Sequence, residues 1–186
     1  FKIGVLGSAR HTEAVAAVLE QHPRIPVVLD PVLASGRGDV LADAEVLLAI
    51  RTRLLPRTTV ATPNSVEARR LAQAGADADL AECARVLIES GCRYVLVTGT
   101  HEAGAEVVNR LFGGAGLVRE DRWPRLAGDY HGSGCTLASA VAAYLAKGMD
   151  VPAAARAAQD YTWKSLQAGF APGRGQQLPH RFFGAP

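Results

Sequence analysis

Short continuous apolar runs alternate along this chain with stretches in which apolar residues return every three or four positions. The runs Lys2–Leu6, Pro26–Leu29, Thr58–Ala61 and Tyr94–Val97 predict buried strands. Helical spacing predicts helices over Thr12–Gln21, over Asp43–Leu54, from Asn64 onward, and over Ala78–Ser90. Ala14, Val15, Val18 and Leu19 would share the face of the first helix, and Val46, Leu47, Ile50 and Leu54 that of the second. This alternation predicts an α/β protein with a mostly parallel central sheet. The rhythm then changes. Glu106–Phe112 and Leu117–Trp123, joined through Gly113-Gly114, predict an antiparallel hairpin at the sheet's edge. Thr136–Lys147 is next a helix, with Leu137, Val141, Tyr144 and Leu145 on one face and Gly148 closing it. Asp150 caps a last helix, with Pro152 in the first turn, where a missing N–H costs little. Pro31–Asp39 and the tail from Ala171 are rich in Gly and Pro and predict irregular segments.

Composition narrows the class. The 186 residues, 48% of them hydrophobic, fit a single domain over 1–186 with a substantial core. Twenty Lys and Arg against 18 Asp and Glu are scattered, with no basic stripe to follow a nucleic-acid backbone. No apolar run approaches the roughly 20 residues that cross a membrane, and no signal peptide opens the chain. Phe1 stands where an initiator Met would, inside a strand-like run, as expected of a fragment or a processed chain. Three cysteines cannot all pair within one chain and match no metal-ligand spacing, which favours a reducing cytoplasm. Cys83 and Cys92 read as small buried hydrophobes.

Four polar motifs fall at predicted strand or loop ends. In His131-Gly-Ser-Gly-Cys-Thr136, two glycines allow a ligand close to the backbone. The helix that follows presents unpaired N–H groups and the positive end of its dipole. Such a place suits a phosphate, and it would lower the pKa of Cys135. It is also compatible with an ordinary loop and a packed cysteine. A Walker A loop is excluded because its Lys is missing, a nucleophile elbow by spacing, and a tyrosine-phosphatase loop because no Arg follows Cys135 within six residues. In Thr62-Pro-Asn-Ser-Val-Glu67, Asn64 and Glu67 suit a capping box, or Glu67 serves Mg²⁺ through water. Asp30, in Leu29-Asp-Pro-Val32, suits a turn or a cation, and Thr98, in Val97-Thr-Gly-Thr-His101, a turn or a nucleotide phosphate. In an open parallel sheet, one crevice outside the strand ends gathers such motifs.

In that order and spacing, Leu29–Val32, Thr62–Glu67, Val97–His101 and His131–Thr136 resemble hydroxymethylpyrimidine/phosphomethylpyrimidine kinases of the ribokinase superfamily. Lys2–Gly7 resembles a strand and turn of the same family, and the resemblance runs to about Gly175. Its most specific point is Cys135, where most ribokinase relatives carry Asp. The resemblance implies a three-layer α/β/α ribokinase-like fold and a cytoplasmic homodimer. It implies ATP-dependent phosphorylation of hydroxymethylpyrimidine and its monophosphate in thiamine synthesis, with Mg²⁺. It also assigns roles. Gly132, Ser133 and Gly134 would form the anion hole, and Cys135 would take or position the hydroxymethyl proton. Asp30 and Glu67 would serve Mg²⁺, with Asn64 in support. Thr98, Asn64 and Thr62 would line the nucleotide side, and Val32 and Val5 would border the pyrimidine. Three features depart from the family: its opening segment is absent, Val5 stands where many relatives have Met, and Thr98 where many have Lys. Pyridoxal kinase activity and a non-catalytic nucleotide-binding module are the alternatives. A cysteine-nucleophile hydrolase lacks a credible His base.

Overall fold

The protein is described by a computed structural model covering residues 1–35 and 39–184. Six strands form one sheet in chain order: β1 (Lys2–Ile3), β2 (Val28–Leu29), β3 (Val60–Ala61), β4 (Tyr94–Val97), β5 (Glu106–Gly113) and β6 (Gly116–Pro124). The first four are parallel, and β5 and β6 add antiparallel at the edge. Side chains alternate across the sheet. Leu29, Ala61, Val95 and Val97 face one core with α1 (Ala9–Gln21), α2 (Ala44–Ala49), α3 (Ser65–Leu71) and α4 (Leu80–Glu89). Val28, Val60, Leu96 and Leu111 face the other, with α5 (Ser133–Ala146) and α6 (Val151–Gln167). The result is the expected three-layer α/β/α sandwich with a mostly parallel sheet and an antiparallel edge hairpin. Cys83 and Cys92 lie buried in the first core, as expected.

Local chemistry moves several boundaries. β1 stops at Ile3, because the chain turns back at once: Ser8 N–H bonds Leu6 O, and Gly7 takes a left-handed φ of 67°. Ser8 then caps α1 by accepting from His11 N–H, so the helix starts three residues before the predicted Thr12. Its buried face is also different: Thr12, Ala16 and Leu19 point inward, while Val18 is exposed. Thr12 is tolerated there because its hydroxyl bonds the Ser8 carbonyl one turn back. After α2 the chain passes through a π-helical turn at Ile50–Leu54 and a 3₁₀ turn at Leu55–Arg57. Within the predicted loop Pro31–Asp39, residues 36–38 lie outside the described residues, and Ala34 bridges Val40 around them. The tail is tied down more than its composition suggests. Phe170 bridges Leu178, and Gln177 bridges Tyr130 just before α5.

Candidate active site

The carboxyl ends of β2, β3 and β4 stand side by side, and each carries one of the polar motifs. Neighbouring strands lie only ~4.8 Å apart, so pairing alone brings these motifs side by side at one end of the sheet. Asp30 follows β2, its N–H bonding Ile3 O at 2.9 Å. Thr62 follows β3, its N–H bonding Leu29 O at 2.9 Å. Thr98 follows β4 and bridges Asn64, with Thr98 N–H on Pro63 O and Ser65 N–H on Thr98 O.

The fourth motif arrives from the other layer. Gly132 caps α5 at φ 84°, ψ 11°, a left-handed conformation that favours glycine. The helix therefore begins at Ser133, not at the predicted Thr136, and Ser133, Gly134 and Cys135 fill its first turn. No side chain caps it. Their N–H groups lack intrahelical acceptors and stand at the positive end of a 14-residue helix. A Cβ at Gly134 would lie 3.9 Å from Asp30 Oδ1, so this open turn sits over the end of β2. Arg181, from the tail, bonds Thr136 Oγ1 through Nε at 3.0 Å, and its Nη2 lies 3.0 Å from where a Gly132 Cβ would be.

The acidic side of the site is built differently. Asn64 caps α3 by accepting from Glu67 N–H at 2.9 Å, and Glu67 Oε2 accepts from Asn64 N–H at 3.0 Å, a full capping box. Glu67 Oε1 also accepts from Leu33 N–H at 3.3 Å, which ties the loop after β2 to α3. Burial pushes the Glu67 carboxyl up to about 7. Those two N–H bonds and the Arg70 charge oppose the rise, and the charge of Asp30 adds to it. Asp30 itself is buried, with Lys2 Nζ 3.3 Å from Oδ2 in an ion pair not aligned as a hydrogen bond. Among the described residues no three His, Cys, Asp or Glu converge on a point. Asp30, whose buried Oδ2 accepts no hydrogen bond and faces Lys2, would be the carboxylate open to Mg²⁺ brought in by phosphates and water, while both Glu67 oxygens already accept backbone N–H groups.

Cys135 is the one exposed cysteine of the three. Its pKa is raised, contrary to the lowering expected from the helix start. Desolvation is the main cause, and Asp30 adds to it both as a charge and as an acceptor for the thiol. Lys2 and Arg181 oppose the rise without cancelling it. Val32 lies half-buried just past Asp30, whereas Val5 is 58% exposed two residues beyond β1. Sequence reasoning missed Lys2 and Arg181. A lysine inside the first apolar run, facing the Asp that ends the next strand, was the available signal for Lys2. Arg181 sits in an irregular tail and offered none.

Comparison with known proteins decides the family. Residues 1–180 match the phosphomethylpyrimidine kinase family. The chain belongs to that family. A hydroxymethylpyrimidine/phosphomethylpyrimidine kinase from Streptomyces coelicolor is 44% identical over 180 residues. The match takes in 94% of this chain and 65% of the relative, so the chain spans just under two thirds of that protein. Among solved structures, an ADP complex of Bacillus subtilis pyridoxal kinase aligns with TM-score 0.85 at 26% identity, over 97% of this chain and 69% of that one. A phosphomethylpyrimidine kinase from Clostridium difficile aligns with TM-score 0.72 at 26% identity, over 89% of this chain and 68% of that one. In this member of the family, the uncapped turn of α5 and the Asp30 carboxylate beside it are the parts to explain.

Proposed function

We propose that this chain is an ATP-dependent kinase of hydroxymethylpyrimidine and its monophosphate, with phosphoryl transfer at the start of α5. The observation that carries the reading is the Gly132-capped turn, whose open N–H groups lie over Asp30. Phosphoryl transfer asks a protein mainly for positioning and charge stabilisation. The amides of Ser133, Gly134 and Cys135 would bind the γ-phosphoryl oxygens, with the greatest gain as charge spreads over them. Thr98, Asn64 and Thr62, at the ends of β4 and β3, would border the rest of the polyphosphate. Asp30 and Glu67 would hold Mg²⁺ through water, and the ion would neutralise charge between the phosphates. Val32 and Val5 would flank the pyrimidine.

The substrate hydroxymethyl oxygen would bond to the γ-phosphorus as the bond to the bridging oxygen of ADP breaks. A neutral thiol cannot simply take the proton. Cys135 sulfur would accept it while passing its own proton to Asp30, the carboxylate beside this turn. This relay uses the raised thiol pKa, where a thiolate base would have needed a lowered one.

The test is to incubate the full chain with ATP, Mg²⁺ and hydroxymethylpyrimidine, then with the monophosphate, and to follow ADP and phosphorylated pyrimidine. ADP formation that depends on the pyrimidine is the expected result. Turnover of pyridoxal alone would move the assignment to the pyridoxal alternative. ATP binding without turnover of any of the three would leave a nucleotide-binding module in place of a kinase.

A further inference from the structure

The loop after β4 is held by one side chain to an unusual degree. Arg125, directly after β6, donates from Nε to Gly104 O at 2.8 Å, from Nη1 to Thr100 O at 2.8 Å, and from Nη2 to Glu102 O at 2.7 Å. Its backbone N–H bonds Ala105 O at 3.0 Å. A single guanidinium thus collects three carbonyls from a five-residue turn. All its hydrogen bonds go to carbonyls, so its positive charge stays beside the loop.

Two further contacts hold the same loop. Gly99 N–H donates to Asn109 Oδ1 at 3.1 Å, and Asn109 Nδ2 donates to Gln159 Oε1 at 2.9 Å. Gln159 is fixed in turn by Trp123 and Asp121. A Cβ on Gly99 would come within 2.3 Å of Val108 O, so the loop lies backbone against backbone on β5. From the opposite side, Arg69 Nη1 holds the Glu102 carboxylate at 2.9 Å. The main chain of Arg125 then runs on through Asp129, which is bonded to Gln177 N–H, to the Gly132 cap.

We infer that Arg125 is a positioning residue: its guanidinium sets the shape of the Thr98–Gly104 loop for the nucleotide polyphosphate and fixes that loop's spacing from the Gly132–Cys135 turn. The inference rests on the kinase reading above. Physically, Arg125 draws three carbonyl oxygens onto itself. Without it, the loop that follows Thr98 loses three of the bonds that fix its backbone. The two halves of the phosphate site would also lose their shared anchor.

The experiment measures ATP affinity of the full chain by calorimetry, and KM and kcat with hydroxymethylpyrimidine. Arg125→Ala should weaken ATP binding and raise KM for ATP by ~10-fold or more, the scale of losing charge-assisted hydrogen bonds. At saturating ATP, KM for the pyrimidine should stay within ~3-fold, while kcat falls with the lost spacing to the Gly132–Cys135 turn. Millimolar guanidinium should restore part of the ATP affinity. Arg125→Lys, which keeps the charge and places fewer donors, should fall between and guards against a misfolded Ala variant. Unchanged ATP affinity in both variants would overturn the inference, as would equal losses toward ATP and pyrimidine. If the unmodified chain itself fails to bind ATP, the kinase reading falls and this inference falls with it.

Discussion

Two helices begin beside the ends of the parallel strands, and they are finished in opposite ways. α3 closes its own start: the Asn64 side chain and the Glu67 carboxylate satisfy each other's backbone N–H groups. α5 leaves its start open, with a left-handed glycine as cap and no side-chain acceptor. Both ends carry a partial positive charge, but only α5 leaves its first N–H groups without a side-chain acceptor. The difference teaches that a helix N-terminus binds phosphate only when its donors have been left unspent. α3 contributes by holding a carboxylate and the loop after β2 in place.

The sharpest way to break this contrast is to put an acceptor where α5 has none. Gly132→Asp places a carboxylate at the open turn, beside Arg181 Nη2 and at a left-handed φ that strains any side chain, Asp less than most. Turnover should fall by ~100-fold or more, the scale of losing one anion-hole donor, with a far smaller change in thermal midpoint. A variant retaining turnover within a few-fold would remove the turn from the reaction.

Cys135→Ala comes next. It should cut kcat by roughly 100-fold while ATP affinity stays within a few-fold. Equal loss of both would make Cys135 a packing residue. The thiol offers a separate check. With its pKa raised above the ordinary value, it stays protonated at neutral pH, so iodoacetamide should label Cys135 more slowly than a free cysteine at pH 7.5. Asp30→Asn removes both the charge and the carboxylate acceptor that raise the pKa, so it should speed that labelling. An unchanged rate would take Asp30 away from the thiol.

The smallest effect belongs to α3. Asn64→Ala removes a cap and should cost about 1 kcal/mol, read as a lowered denaturation midpoint. Turnover should fall far less than in Gly132→Asp; a comparable loss would mean that α3, too, gives its N–H groups to the transferred phosphoryl group.

Much of this architecture is readable from the sequence because the short apolar runs are unambiguous and each ends in a polar motif. Pairing four such runs in parallel places Asp30, Thr62 and Thr98 together without further information. The capping box was equally local, since Asn64 and Glu67 are three residues apart. What escaped was set by partners distant in sequence. The predicted face of α1 failed because Thr12 hides its hydroxyl on Ser8, so a polar residue occupies a core position. The pKa of Cys135 was misjudged because the helix start was visible, while the desolvation of the thiol and the nearby carboxylate of Asp30 were not. Arg125 carried no local signal, because its three carbonyl partners lie 21, 25 and 23 residues away.

The outer strand of the hairpin has a consequence for the protein in solution. β6 pairs on one side only, and an unpaired row of strand N–H and C=O groups invites another chain to add. Glu120 and Arg122 on this strand are bound to Arg110 and Glu106 of β5. An incoming strand would have to lay its own side chains beside these charges and strip them of water. The exposed rim therefore discourages fibril-like stacking through charge, and that protection should weaken as added salt screens it.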